Sequence, residues 1–402
     1  MHLITLQISK MKSQPVFQFF KKRIMQISLF CSVVLLLSVL PHKTTESSSP
    51  AGNPIAKHEI TLIFTGDIMQ HMPQVEAAWN ENFNTYIYDS CFKYIQPWLS
   101  GADIAIANLE TTLAGKPYSG YPAFSSPDQL VTGMLNAGID IAGTANNHCC
   151  DRGRKGIERT AAVLDSLGLM HMGTYISQEA CTKSHPMILN TRGFRLAFLN
   201  YTYGTNGIPV PENNVVNLIE KEKIVKDMKA ARDSASDAVI VFIHWGEEYQ
   251  REPNAFQKEI ARLLVDNGAD IIIGSHPHVI QPMEWNKADN LNRENIIVWS
   301  LGNYVSNQRK RFTDGGSMFS VTLQKETGHT SIKQAGYQLT WVYNPVVEGR
   351  KQYFILPAAL YENDTLLLDK PAQNDLKLFL SDSRELLNSK NINIGEIRQT
   401  LR

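Results

Sequence analysis

The fold class this sequence predicts is α/β, with a largely buried central sheet. Three observations carry it. Strand-length apolar runs rich in β-branched residues recur along the chain. Segments with apolar residues at three- and four-residue spacing lie between them. A 43% hydrophobic content over 402 residues gives a sizeable core without help from disulfides. Alternation of this kind is the signature of helices packed on a sheet.

Taken in order, residues 60–64 (ITLIF) form a strand ending at Gly66-Asp67, and 104–107 (IAIA) a second leading to Asn108-Leu109-Glu110. A helix over 129–136 precedes a strand at 139–142 that ends near Asn146-Asn147-His148. A helix over 157–167, a strand at 196–199 (LAFL) and a helix over 219–232 follow. The strand at 239–243 (VIVFI) runs into His244, and a helix over 255–266 leads to the strand at 271–273, just before His276 and His278. A last strand of this series lies at 296–299. Three of the four helices end close to a glycine, a common helix stop. Beyond residue 316 the pattern changes to strands at 319–323, 339–343 and 353–356 with no helices between, then a terminal helix over 373–387. The main domain is therefore placed at 59–316, with 317–402 completing or decorating it.

The formal net charge is zero, with 39 basic and 39 acidic residues. Such a balance excludes a strongly basic nucleic-acid binder and a disordered polyampholyte. The balance is unevenly distributed. Residues 1–23 hold Lys10, Lys12, Lys21, Lys22 and Arg23 and no acid, so the remainder has 34 bases against 39 acids, a formal −5. Residues 24–40 follow as 17 uncharged, mostly apolar residues, and 41–58 as a Ser/Thr/Pro linker. A basic segment before an apolar one sets an inward-facing N-terminus. The expectation is a single-pass membrane anchor, or a signal removed on export, with the body outside the cytoplasm. Four cysteines lie beyond the anchor, Cys91, Cys149, Cys150 and Cys181, and are read as small buried apolar groups.

Chemistry concentrates at strand ends. Asp67, Glu110, Asn147, His148, His244, His276 and His278 each follow one of the predicted strands. In open α/β sheets the carboxyl ends of strands converge on one edge, where ligands bind. Imidazoles with carboxylates form a ligand set for Zn, Mn or Fe. A shared carboxylate such as Glu110 can bridge two ions about 3.5–4 Å apart, a geometry used in hydrolysis. Taken singly these elements are weak, since Gly-Asp and Asn-Asn-His also make ordinary turns. His276-Pro277-His278, two imidazoles across a stiff proline, is the strongest.

These pieces resemble one family. Gly66-Asp67-Ile68-Met69, Asn108-Leu109-Glu110, Asn146-Asn147-His148, His244-Trp245-Gly246-Glu247-Glu248-Tyr249, Gly274-Ser275-His276-Pro277-His278-Val279 and Ser300-Leu301-Gly302-Asn303-Tyr304 occur in the order found in the CapA (PgsA-type) poly-γ-glutamate capsule biosynthesis family. That family is similar to calcineurin-like metallophosphoesterases. The resemblance implies a four-layer αββα sandwich of two sheets flanked by helices. It also implies roles: Asp67 on a first metal, Glu110 bridging, Asn147 and His244 on a second, and His276 and His278 completing both spheres. His148 is implied as a general acid or as the group that orients the substrate. Asn108, Glu247 and Asn303 are implied to support the ligands or line the pocket, and Trp245 to form an apolar wall. In one respect the chain departs from the wider superfamily: Met69 stands where a histidine ligand is usual, and His71 lies two residues further on.

The function the resemblance implies is membrane-anchored, extracytoplasmic support of poly-γ-glutamate synthesis or export, with capsule-synthase subunits as further partners. Two alternatives stay open: metal-dependent hydrolysis of a phosphoester or amide, and metal-dependent binding of the polyanion without catalysis. A body at −5 does not hold a polyanion by bulk electrostatics. Positive charge must be local, and the metal edge is the candidate place for it.

Overall fold

The structure is a computed structural model that describes residues 58–287 and 294–398. The chain begins one sheet, leaves to build a second, and returns to finish the first. β1 (His58–Ile68), β2 (Ile104–Leu109), β3 (Ile141–Gly143) and β4 (Met170–Met172) pair in parallel in sequence order. Helices α1 (Met72–Ala78), α2 (Gln129–Ala137) and α3 (Gly153–Leu167) connect them. The second sheet takes β5 (Met187–Thr191), β6 (Phe194–Thr202), β7 (Ala238–His244), β8 (Ile271–Ser275), β9 (Met283–Asn286) and β10 (Asn295–Val298). Its spatial order is β9-β10-β8-β7-β6-β5, and α4 (Lys221–Asp233) and α5 (Ala255–Asp266) make its crossovers.

The remaining strands rejoin the first sheet. They are β11 (Asn303–Val305), β12 (Gly315–Glu326), β13 (His329–Tyr343), β14 (Phe354–Pro357) and β15 (Gly395–Glu396). That sheet runs β14-β13-β12-β1-β2-β3-β4, with β11 beside β1 and β15 beside β13. β12 lies antiparallel to β1 from His58↔Lys325 to Thr65↔Met318, so the segment after residue 316 is central to the sheet. α6 (Lys370–Lys390) packs Leu376, Phe379, Leu380 and Leu387 into the same core as Tyr337 and Leu339 of β13.

Side-chain parity explains the layering. Successive residues of a strand point to opposite faces. In β7, Ala238, Ile240 and Phe242 meet Ile60, Leu62 and Phe64 of β1 in the core between the sheets. Their alternates Val239, Val241 and Ile243 meet Ile224 and Met228 of α4 and Ile260 and Leu264 of α5. On the far side of the first sheet, Ile63, Ala105 and Ala107 pack against Leu130 and Met134 of α2 and Leu164 of α3. Strands buried on both faces read as continuous apolar runs. Each large side chain fully buried this way contributes about 1.5–3 kcal/mol. The result is the helix-sheet-sheet-helix sandwich that the family resemblance implied.

The four cysteines among the described residues are free and buried, Cys91 against Phe92 and Cys149 and Cys150 against Ile157. They serve as small apolar groups. No helix among the described residues is long and apolar enough to cross a membrane. The basic segment, the expected anchor at 24–40 and the expected linker up to residue 57 lie outside the described residues.

Candidate metal centre

Parity also delivers the polar side chains. Ile104 and Ile106 of β2 face the core between the sheets, so Asn108 and Glu110 emerge on that side at the strand's carboxyl end. His244 continues the row of Ala238, Ile240 and Phe242, and Ser275 that of Ile271 and Ile273. Asp67 needs a further device, because simple alternation from Phe64 turns it towards α2. Thr65 pairs with Ala107 and Asp67 with Asn108, so β1 carries one extra residue at Gly66. Such a bulge flips every later side chain to the other face. Ile68 accordingly joins the outer cluster with Ile63, and Asp67 faces inward beside Asn108. A Cβ on Gly66 would lie 1.9 Å from the Gly302 carbonyl oxygen, so the bulge requires glycine.

The groups converge within hydrogen-bond range. Asn108 Nδ2 donates to Asp67 Oδ1 at 2.8 Å and to Glu110 Oε2 at 3.1 Å, clamping two carboxylates together. The His278 ring spans both acids, with Nδ1 3.1 Å from Asp67 Oδ2 and Nε2 3.7 Å from Glu110 Oε1. On the other side of Glu110, His244 Nε2 lies 3.8 Å from Oε1 and 3.0 Å from Asn147 Oδ1. Ser275 Oγ lies 2.9 Å from His244 Nδ1 and orients the ring. His276 and His278 hold positive φ values of 98° and 57°, a conformation non-glycine residues keep only where the surroundings impose it.

The charge balance of this cluster favours a cation. Burial first, then the Asp67 charge, holds the Glu110 carboxyl well above its usual pKa. Burial and the neighbouring imidazoles hold His244 and His276 well below theirs, so both rings stay neutral and able to ligate. Two buried polar atoms, Glu110 Oε1 and His276 Nδ1, have no hydrogen-bond partner among the described residues. Leaving a buried acceptor unpaired costs about 1–3 kcal/mol. Asp67, Glu110 and His278 each offer a ligand atom, all within 4.8 Å of one another. The donor set of carboxylates with imidazole suits a divalent ion, whose charge would bring the Glu110 pKa back down and keep the imidazoles neutral.

The other predicted residues divide. His148 is buried beside the centre: its backbone N–H is held by Asn146 Oδ1 at 3.1 Å, its Nδ1 lies 2.8 Å from Asp151 Oδ2, and its ring packs edge-on against Phe124. Asn303 is the register partner of Asp67 across β11, with Nδ2 donating to the Thr313 carbonyl at 2.9 Å. Glu247 is exposed, and with Tyr203, Glu248 and His276 lines a cavity of about 510 Å³. Trp245 is a correction. It does not wall the site, because it shares the odd parity of Val241 and Ile243, stacks on Trp299 and donates Nε1–H to the Trp299 carbonyl in the outer core. Met69 is buried, and His71 caps α1 against Gln74 rather than joining the ligand cluster. Asp151 and Tyr203 have no place in the sequence expectations, and Ser275 appears there only inside the Gly274–Val279 motif with no role of its own. Asp151 carries a local signal, three residues after His148; Tyr203, stacked at 12° on His244, carries none.

Comparison with known proteins places this geometry in a family. The family described as Bacterial capsule synthesis protein PGA_cap matches residues 61–308. Capsule biosynthesis protein CapA of Bacillus anthracis is 28% identical over 299 residues, covering 71% of this chain and 69% of that protein. PGA biosynthesis protein CapA of Bacillus subtilis (strain 168) is 27% identical over 296 residues, covering 71% and 74%. Among solved structures, the calcineurin-like phosphoesterase YfkN from Bacillus subtilis is similar with a TM-score of 0.39 at 12% identity, over 82% of this chain and 99% of that one. The 61–308 match runs from within β1 through β11 and takes in every residue of the candidate centre, and the chain belongs to the bacterial capsule synthesis protein PGA_cap family.

Proposed function

We propose that this chain is a membrane-anchored, extracytoplasmic component of poly-γ-glutamate capsule synthesis or export, working beside synthase subunits, that hydrolyses its anionic polymer at a metal centre. The observation that carries the reading is Glu110 Oε1, fully buried, without a hydrogen-bond partner and flanked by His278 and His244 at 3.7 and 3.8 Å. Asp67, Glu110 and His278 would hold one ion, with Asn147, His244 and His276 around a second and Glu110 shared. A bound Mn, Zn or Fe ion supplies Lewis acidity and the local positive charge that a body at −5 lacks.

The chain's own groups do the rest. Asn108 fixes the two carboxylates side by side. Asp151 holds His148 through Nδ1, leaving Nε2 to deliver a proton to the departing amine. The names of the CapA relatives support the polymer as substrate, and the His148–Asp151 pair favours chemistry over simple binding, which has no use for a proton donor.

The test is turnover of γ-glutamyl oligomers by the purified metal-loaded chain and by His148→Asn. Rate should fall about 10²–10⁴-fold in the variant, with bound metal unchanged. Equal turnover in both, or none in the wild type, would leave the centre as a polymer-binding device.

A further inference from the structure

A second cavity, of about 1060 Å³, is lined on one side by Met72, Val75 and Glu76 of α1, and its volume lies at the upper end of the size range of ligand sites. Its wall is aromatic. Trp79 and Tyr86 meet edge-on with centroids 5.0 Å apart, and Tyr86 and Tyr118 at 5.3 Å. Its rim is basic: Lys116, Arg350 and Lys351 face a single lining acid, Glu76. Lys116 and Lys351 have no carboxylate partner among the described residues. Arg350 pairs with Glu81 in an exposed contact, of a kind worth little and readily exchanged for another carboxylate. A cationic groove on a body that is acidic overall calls for an anionic occupant.

The groove is tied to the centre by one short loop. Ser119 and Ser125 exchange backbone hydrogen bonds at 3.0 and 2.9 Å, and Arg152 donates to the Pro117 carbonyl at 2.9 Å, so residues 115–125 are closed and anchored. Gly120 lies so close to α1 that a Cβ there would be 2.7 Å from Met72 N. The loop gives Tyr118 to the groove; three residues on it gives Tyr121, 73% exposed, and then Phe124 to the His148 ring at 6.4 and 4.6 Å. The other approach, past Glu247 and Glu248 to His276, presents negative charge to the same occupant.

We propose that this groove is a docking track for a carboxylate-bearing polypeptide, which it leads along residues 116–121 to His148. The inference rests on the reading that the centre acts on an anionic polymer. Pendant carboxylates pair with Lys116, Arg350 and Lys351, while methylenes and amides lie on Trp79, Tyr86 and Tyr118. Electrostatics sets the register and the rings supply contact area.

The experiment measures binding of fluorescein-labelled poly-γ-glutamate to the full chain and to the exposed-residue triple variant Lys116→Gln, Arg350→Gln, Lys351→Gln. Affinity should fall about tenfold, and its salt dependence should flatten, while bound metal and turnover of a γ-glutamyl dipeptide stay as in the wild type. Polymer affinity unchanged in the triple variant, or absent in the wild type, overturns the track. So does a variant that loses binding to phosphatidylglycerol vesicles but keeps the polymer, because the patch then serves a membrane. The two readings fail separately. A chain without metal or dipeptide turnover contradicts the centre, while loss of polymer affinity in the triple variant still reports the groove.

Discussion

Asp67, Glu110, His244, His276 and His278 were legible in the sequence because each lies within five residues of the end of an apolar run that a sheet brings to one edge. Trp245 shows where that reasoning stops. It neighbours His244 in sequence, yet a strand sends consecutive residues to opposite faces, so it lies in the outer core with Trp299. Trp245→Ala should therefore destabilise the fold by about 3–5 kcal/mol in denaturant titration and leave metal content unchanged in the folded fraction. A loss of metal with little loss of stability would return Trp245 to the site. Asp151 and Ser275 orient their histidines through hydrogen bonds that only the folded geometry reveals, and Tyr203 arrives from β6 with no pattern to announce it.

At the level of elements, the bulge in β1 decides whether a centre exists. Gly66→Ala sets a methyl against the Gly302 carbonyl and should cost about 1–3 kcal/mol or more. It should also lower metal content, because relaxing the bulge turns Asp67 away from Glu110. Thermal melts with metal analysis of the soluble protein check both, and full metal content in a stable variant would contradict the bulge's role. α4 is held to the second sheet by Asp227, whose Oδ2 receives Tyr201 Oη–H at 3.0 Å and lies 2.8 Å from both His185 Nε2 and Lys223 Nζ. Burial raises the Asp227 pKa, but the His185 and then the Lys223 hydrogen bonds outweigh it, and the net shift is downward. A carboxyl lowered on folding adds stability that is complete above its unfolded pKa of about 3.9 and is lost as pH falls through the folded value. Asp227→Asn should thus be less stable by about 1–3 kcal/mol at neutral pH, and the gap should close in strong acid. A gap independent of pH would contradict this assignment. Doubly buried strands such as β7 and β8 were readable as continuous apolar runs. The edge strands β4, β5 and β9 were not, because residues such as His171, Asn190 and Glu284 break the apolar run where a face meets solvent.

Across the whole molecule, two sheets of different topology meet so that the ends of β1 and β2 face those of β7 and β8. The alternation of runs and helical spacing made the α/β class readable, while the pairing of two sheets came only from the family resemblance. The long β12–β13 hairpin was less so: it extends to Glu326 and His329, well beyond the apolar stretch at 319–323. Its pairing with β1 is a contact of high sequence separation that no local pattern encodes. The acidic balance of residues 24–402 gives no bulk attraction for an anion, so the proposed reading requires local positive charge, at the groove and at the proposed metal centre. The central claim is that the buried Asp67–Glu110–His278 cluster binds a divalent ion. It is tested most directly by elemental analysis of the purified full chain and of Glu110→Gln. The account predicts one or two transition-metal ions per wild-type chain and a clear deficit in the variant. A wild-type chain that stays folded, carries no metal and takes none up from Mn, Zn or Fe would contradict it.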